Sequence, residues 1–191
     1  MQMSLMTELD AVNLMLSVIG EAPVNSLNST GLSDVAMALN VLKEVALEVQ
    51  DDGWSWNQED DIYLPLSTEG FIYKPINALR LEAMKDEDRK FTIRGDRLYS
   101  RDDHSYVFTA PMHVQVTYFL DYSELPQAAR FYIAIRAARK FQKRSTSSST
   151  LEKFNEMDEY DALANCQDQD TSAGDYNMLT GSWDVMRILV R

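Results

Sequence analysis

The sequence predicts an α+β protein: an antiparallel bundle of four main helices, an inserted β-rich subdomain, and an extended apolar C-terminal tail. Three observations carry this. Apolar residues recur at spacings of three and four near both ends of the chain, the mark of helices buried along one face. Between Trp54 and Phe119 the period shortens, and β-branched and aromatic residues cluster between turn residues. After Asp175 the chain stays rich in large apolar side chains, which a free terminus ordinarily lacks. These divide the chain into residues 1–53 and 120–170 for the bundle, 54–119 for the insertion and 171–191 for a tail arm.

The first helix has Thr7 as its cap, with Asp10 three residues on as a capping-box partner. Leu5, Leu9, Val12, Leu16 and Ile19 make one face. In "VIGEAPV", Gly20 suits the position just past a helix end, and Pro23 prevents continuation. Glu21 then reads as a joint residue rather than a working acid. The second helix opens near Ser33. Val35, Leu39, Leu42, Ala46 and Val49 form its stripe, and Ala38, Val41 and Val45 widen it, so more than one side should be covered. It ends at "DDG", with Gly53 as the residue past its end. The short connection implies that these two helices are antiparallel neighbours.

In the insertion, "IYLPL", "GFIYKP", "RKFTIRGDRLYS" and "HVQVTYFLDY" read as strands or strand edges. Arg94-Gly95-Asp96-Arg97 is expected to be a hairpin turn between Phe91–Ile93 and Leu98–Tyr99, which accounts for Gly95 without invoking receptor binding. "ALRLEAM" fits a strand or a helical turn equally well. Pro126 then opens a third helix to about Arg144, with Phe131, Ile135, Ala138 and Phe141 or Gln142 on one face. A fourth is expected from about Thr150 to Asp168, with Ser149 and Glu152 as a second capping box.

Composition limits the function classes. The net charge of −12 over 191 residues repels nucleic acid and anionic membrane, so tight wrapping of DNA is not expected. A channel that DNA slides through without sticking is compatible with it. Cys166 is the single cysteine, so the chain forms no internal disulfide and no cysteine-based zinc site. Two histidines, His104 and His113, do not make a His-rich metal site, and no metal or cofactor is expected. The chain carries no run long enough for a membrane helix and no secretory leader, so it reads as soluble.

The most enzyme-like stretch is "DDGWSWNQEDD". Trp54 and Trp56, on one side of an extended segment, with Glu59 and Asp61 in step, suggest a glycan cleft, since rings stack on sugars and paired acids hydrolyse them. The simpler reading is that the tryptophans close the core and the acids stand in solvent. No G-x-S-x-G, no P-loop and no second acid pair supports catalysis. "DQDTSAGD" resembles a calcium loop but fails its template in glycine position and closing glutamate.

Arg136, Arg139, Lys140, Lys143 and Arg144 crowd the end of the third helix, and Glu152, Glu156 and Glu159 line the fourth. A phosphate contact is one use for such a basic patch. Pairing of the two helices, within a protomer or between subunits, is favoured. Tyr176, Met178, Leu179 and Trp183 of the tail must pack on their own protomer or on a partner. This profile favours an assembly protein over an enzyme.

"AVNLMLSVIGEAPVNSL", "DDGWSWN", "LDYSELPQAARFYIAIRAARKFQKR" and "DYNML" resemble, in order and spacing, the tail tubular protein A family of T7-like short-tailed bacteriophages. The resemblance implies a virion tail protein assembled in the host cytoplasm. It implies a dodecameric ring, monomeric before assembly, joining the portal to the nozzle of tail tubular protein B. Tail fibres would attach at that junction and DNA would leave through the lumen. It also implies a helical bundle with a β-rich insertion and no catalysis. The alternative is a tail-borne glycan-binding or glycan-hydrolysing module.

Overall fold

A computed structural model describes residues 5–28, 33–84, 88–145 and 149–173, without the side chains of 149–155. Glu152 and the tail residues Tyr176, Met178, Leu179 and Trp183 therefore lie outside the described side chains. The protein has helices α1 (Glu8–Val18), α2 (Ser33–Asp51), α3 (Gln127–Ser145) and α4 (Ser149–Ala173). Between α2 and α3 lie strands β1 (Gln58–Leu64), β2 (Ala78–Ala83), β3 (Phe91–Arg94), β4 (Arg97–Ser100) and β5 (Met112–Tyr118). The α+β class is thus present. Two compact units form, Met1–Leu39 with Pro126–Arg191, and Asn40–Leu125, and the division falls within α2.

In the first unit, α3 packs against α1 and α4. Thr7 accepts the Asp10 N–H, while the Asp10 carboxylate accepts the Thr7 N–H at 2.9 Å, a complete capping box. The Thr7 hydroxyl also donates to the Asp10 carboxylate at 2.7 Å, and this bond first, then the one from the Thr7 N–H, holds the carboxyl below its usual range. At the other end Gly20 N–H bonds Ser17 O and Glu21 N–H bonds Leu16 O, with Gly20 at φ 81°, so the helix closes in a Schellman motif. Asn13 then fixes the outgoing chain by bonding both N–H and C=O of Val24. Glu21 is exposed, as expected of a joint residue.

Two expected faces hold in part: Val12 and Leu16 of α1 and Ala138, Phe141 and Gln142 of α3 are buried as expected, and the rest is corrected. α1 buries Ala11, Val12, Met15 and Leu16, while Leu5 is 52% exposed. α3 buries Ala129, Tyr132, Ile133, Ala137 and Phe141, turns Phe131 to solvent and leaves Ile135 half-buried. The buried stripe of α3 mixes alanines with the large side chains Tyr132, Ile133 and Phe141. Each fully buried Ile or Phe there still contributes about 2 kcal/mol. The chain before α1 is tied to the start of α3: Met6 N–H donates to Gln127 Oε1 and Arg130 Nη1 donates to Met6 O.

α4 is longer than the sequence suggests. Residues 168–173 are helical, so the described part of the calcium-like stretch is not a loop. Thr171 and Ser172 hydroxyls bond the carbonyls of Gln167 and Asp168, one turn back, which leaves them compatible with helix.

In the second unit, the sheet order is β1-β5-β2, all antiparallel, with the β3-β4 hairpin as a second sheet. "ALRLEAM" is therefore a strand. The hairpin turns at Gly95, φ 68°, where predicted. Leu64, Ile72, Leu81, Leu98, Met112, Val114 and Val116 make the core of the strands. Thr117, which alternation would place in solvent, is buried.

The end of α2 joins this sheet through two buried amides. Gln50 bonds both backbone groups of Leu120. Asn57 Nδ2 donates to Gln50 O and Tyr118 O, and its Oδ1 accepts the Trp54 N–H, each at 2.8 Å. All four side-chain atoms are satisfied, as burial requires. Gly53, φ 80°, ends α2 where predicted.

Candidate functional site

The basic and acidic patches meet within one chain. Arg139, on the fourth turn of α3, reaches α4, which folds back along it. Its Nη1 donates to Glu159 Oε2 at 2.8 Å, and its Nη2 donates to Glu156 Oε1. Arg136 donates from Nη1 to the Tyr132 hydroxyl at 2.8 Å and brings its Nε to 3.9 Å from Glu159 Oε1. The side chains of Arg139 and Glu159 are each only 18% exposed, so this is a sheltered clamp. The hydrogen bond to Glu159 raises the guanidinium pKa further. Ala162 and Cys166 lie buried on the same helix. The thiol of Cys166 is pushed up to about 11, by burial first and by Asp170 second, so it is a poor nucleophile at neutral pH.

Lys143 and Arg144 are exposed at the end of α3 and Lys140 is half-buried. The structure thus assigns Arg139, Glu156 and Glu159 to one another, while Lys143 and Arg144 stay accessible.

The tryptophan and acid residues take a different geometry from the extended segment expected. Residues 54–57 form a turn in which Asn57 and Gln58 N–H groups both bond Trp54 O. Trp54 is buried, donates Nε1 to Val49 O at 2.7 Å, and stacks on Trp56 with ring centroids 6.0 Å apart. Only half-buried Trp56 has ring surface left for a ligand. Asp61 sits at a β-bulge with φ 58°, and its Oδ1 lies 2.6 Å from His113 Nδ1. Tyr63 meets the same imidazole edge-on at 5.3 Å. Burial, then the charge of exposed Glu59, raises the Tyr118 phenol pKa. Glu59 lies opposite Val116 in the register, and Asp61 faces His113.

Among the described residues no cluster of His, Cys, Asp and Glu is arranged to hold a metal, and no helix is long and apolar enough to cross a membrane.

A third feature escaped sequence reasoning: a face of rings and guanidiniums on the β subdomain. Arg94 lies 3.6 Å over the Tyr99 ring, and Arg97 lies 4.8 Å from Phe71 and 5.4 Å from Tyr106. Alternation around the predicted hairpin turn carries part of the signal, since Arg97 and Tyr99 share a face of β4. Phe71 and Tyr106 come from separate loops.

Comparison with known proteins places this arrangement. The family model for tail tubular proteins matches residues 9–176, which spans all the described helices and strands except the first residue of α1. The chain belongs to the tail tubular protein family. It is also 30% identical to tail tubular protein A of Klebsiella phage KP34 over 131 residues, 68% of each chain. This family member is accordingly a structural protein of the bacteriophage tail, located in the virion. The matched region takes in both the α3–α4 clamp and the ring-and-guanidinium face.

Proposed function

We propose that this chain is a ring-forming adaptor of the phage tail, seated between the portal and the tail nozzle. The observation that carries the reading is membership of the tail tubular family across residues 9–176. Twelve copies make the ring, the number that follows from resemblance to the T7-like proteins. The helices form the body as a bundle, residues 54–119 are an insertion that faces partners, and the residues after α4 are an arm that reaches a neighbour or the portal. Tail fibres attach at the junction with the nozzle. DNA passes through the lumen, and the net charge of −12 supports release rather than retention there. No catalytic step belongs to this role.

A closed ring needs a head-to-tail contact between two different patches of each copy. The sheltered Arg139 clamp supports each protomer, and Lys143 and Arg144 extend that basic patch at the exposed end of α3, where a partner meets it.

Purified protein mixed with its portal should give particles with one added ring by negative stain, and the particle mass gives the copy number. Absence of association at every salt concentration would overturn the reading. Truncation after Asp175 should leave a folded protein that no longer assembles. Loss of the helical circular dichroism signal in that truncation would instead make the arm part of the protomer core.

A further inference from the structure

The ring-and-guanidinium face of the β subdomain has the features of a docking surface. Phe71 and Tyr73 flank buried Ile72, and they pair across the chain with Val107 and Arg97. Tyr99 and Tyr106 meet edge-on at 5.0 Å, beneath the guanidiniums of Arg94 and Arg97. The face is open: Tyr73 is 47% exposed and Val107 50%. Among the described residues Arg97 pairs with Asp96 at 3.6 Å, itself 75% exposed, a contact that consumes little of its charge. An arginine laid on a ring has its geometry set before a partner arrives, which lowers the entropy lost on binding. Tyrosine and arginine are the residue types that dominate interface energetics.

The same chain supplies a complement. α4 faces α3 with Glu159, Ala162 and Cys166. Its opposite side carries Met157, Asp161, Ala164 and Asp168, spaced four, three and four residues apart, one straight stripe. Met157 and neighbouring Tyr160 are 72% and 71% exposed. Asp161 and Asp168 are exposed and make no ion pair among the described residues. One surface is positive and aromatic, the other negative with an exposed Met and Tyr.

We propose that the Arg94–Arg97 face of one copy receives the outer stripe of α4 from a second copy. The two patches differ, so the contact is head-to-tail and each copy both gives and receives. The inference rests on the ring reading and names the subunit contact it needs.

Before assembly this contact is weak enough to leave the protein monomeric at ordinary concentration, so sedimentation equilibrium of the full-length protein alone, at high concentration, reads it without the portal. Arg94→Glu with Arg97→Glu should weaken self-association at least tenfold, and so should Asp161→Lys with Asp168→Lys. Mixing the two double variants should restore association, because each retains the patch the other lacks. Thermal unfolding checks that both remain folded. Self-association that is absent in the parent protein, unchanged by either reversal, or not restored by mixing overturns the contact. If pairing behaves as stated but no ring forms on the portal, the adaptor reading falls while the contact stands.

Discussion

Gln50 and Leu120 exchange two hydrogen bonds: Gln50 Nε2 donates to the Leu120 carbonyl at 3.0 Å, and Leu120 N–H donates to Gln50 Oε1 at 2.8 Å. A fully buried side-chain amide thereby takes the place of a paired strand at the end of β5. Replacing it with Ala or Leu leaves the Leu120 backbone groups without partners. Gln50→Leu should cost about 2–4 kcal/mol in urea unfolding, and Gln50→Glu should cost less at pH 4 than at pH 7. A midpoint within experimental error of the parent's would show that water replaces the amide.

Gly53 and Gly20 separate two sources of glycine dependence. Both have φ near 80°, so alanine at either meets the left-handed backbone penalty of about 1–2 kcal/mol. At Gly20 a Cβ would meet open space, whereas at Gly53 it would come 2.4 Å from Gln58 Nε2 and 2.7 Å from Arg80 Nη2. Those are flexible side-chain ends that can move aside, at the expense of the 3.3 Å bond from Arg80 to Asp52 O. Gly53→Ala should therefore be the more destabilising, by about 1 kcal/mol beyond Gly20→Ala. Equal costs in denaturant titration would remove the packing part of this account.

Arg139 and Glu159 invite a double-mutant cycle. Removing one partner leaves a sheltered charge, so Arg139→Ala and Glu159→Ala should each cost about 1–3 kcal/mol, and the double variant clearly less than their sum. The coupling should survive 0.5 M salt better than an exposed pair would. Additive costs would make the clamp energetically idle.

Cys166 predicts a sign on the alkaline side. Its thiol ionises near 11 when folded and near 9 when unfolded, so above pH 9 the unfolded chain loses the proton first. The stability contribution is whole below pH 9 and falls as pH rises toward 11, by roughly 2–3 kcal/mol in total. Comparison of the parent with Cys166→Ala across that range should show a steeper decline in the parent. Native protein at pH 8 should also react slowly with a thiol reagent and quickly in urea. Rapid native labelling would contradict the burial. Asp10 has the opposite sign: its lowered pKa supports stability above the ordinary carboxyl range, and that support is lost on acidification.

What the sequence determined by itself was local. The Thr7–Asp10 box, the stop at Gly20 and Pro23, the end of α2 at Gly53 and the turn at Gly95 use partners within a few residues, so residue type and spacing suffice. Family membership was equally legible, because it rests on order and spacing of segments rather than on contacts. Tertiary structure decided which side of each helix is covered. The apolar stripes of α1 and α3 are broad enough to allow several rotations, and tertiary packing selected one that leaves Leu5 and Phe131 outside. It also decided that Asp168–Ala173 is helix, that Trp54 stacks on Trp56 in a turn, and that Arg139 closes on Glu156 and Glu159. The Arg94–Tyr99 and Arg97–Phe71–Tyr106 stacks and the Gln50–Leu120 pair depend on segments brought together by the fold, and pairing across such distances is set by packing, not by local preference.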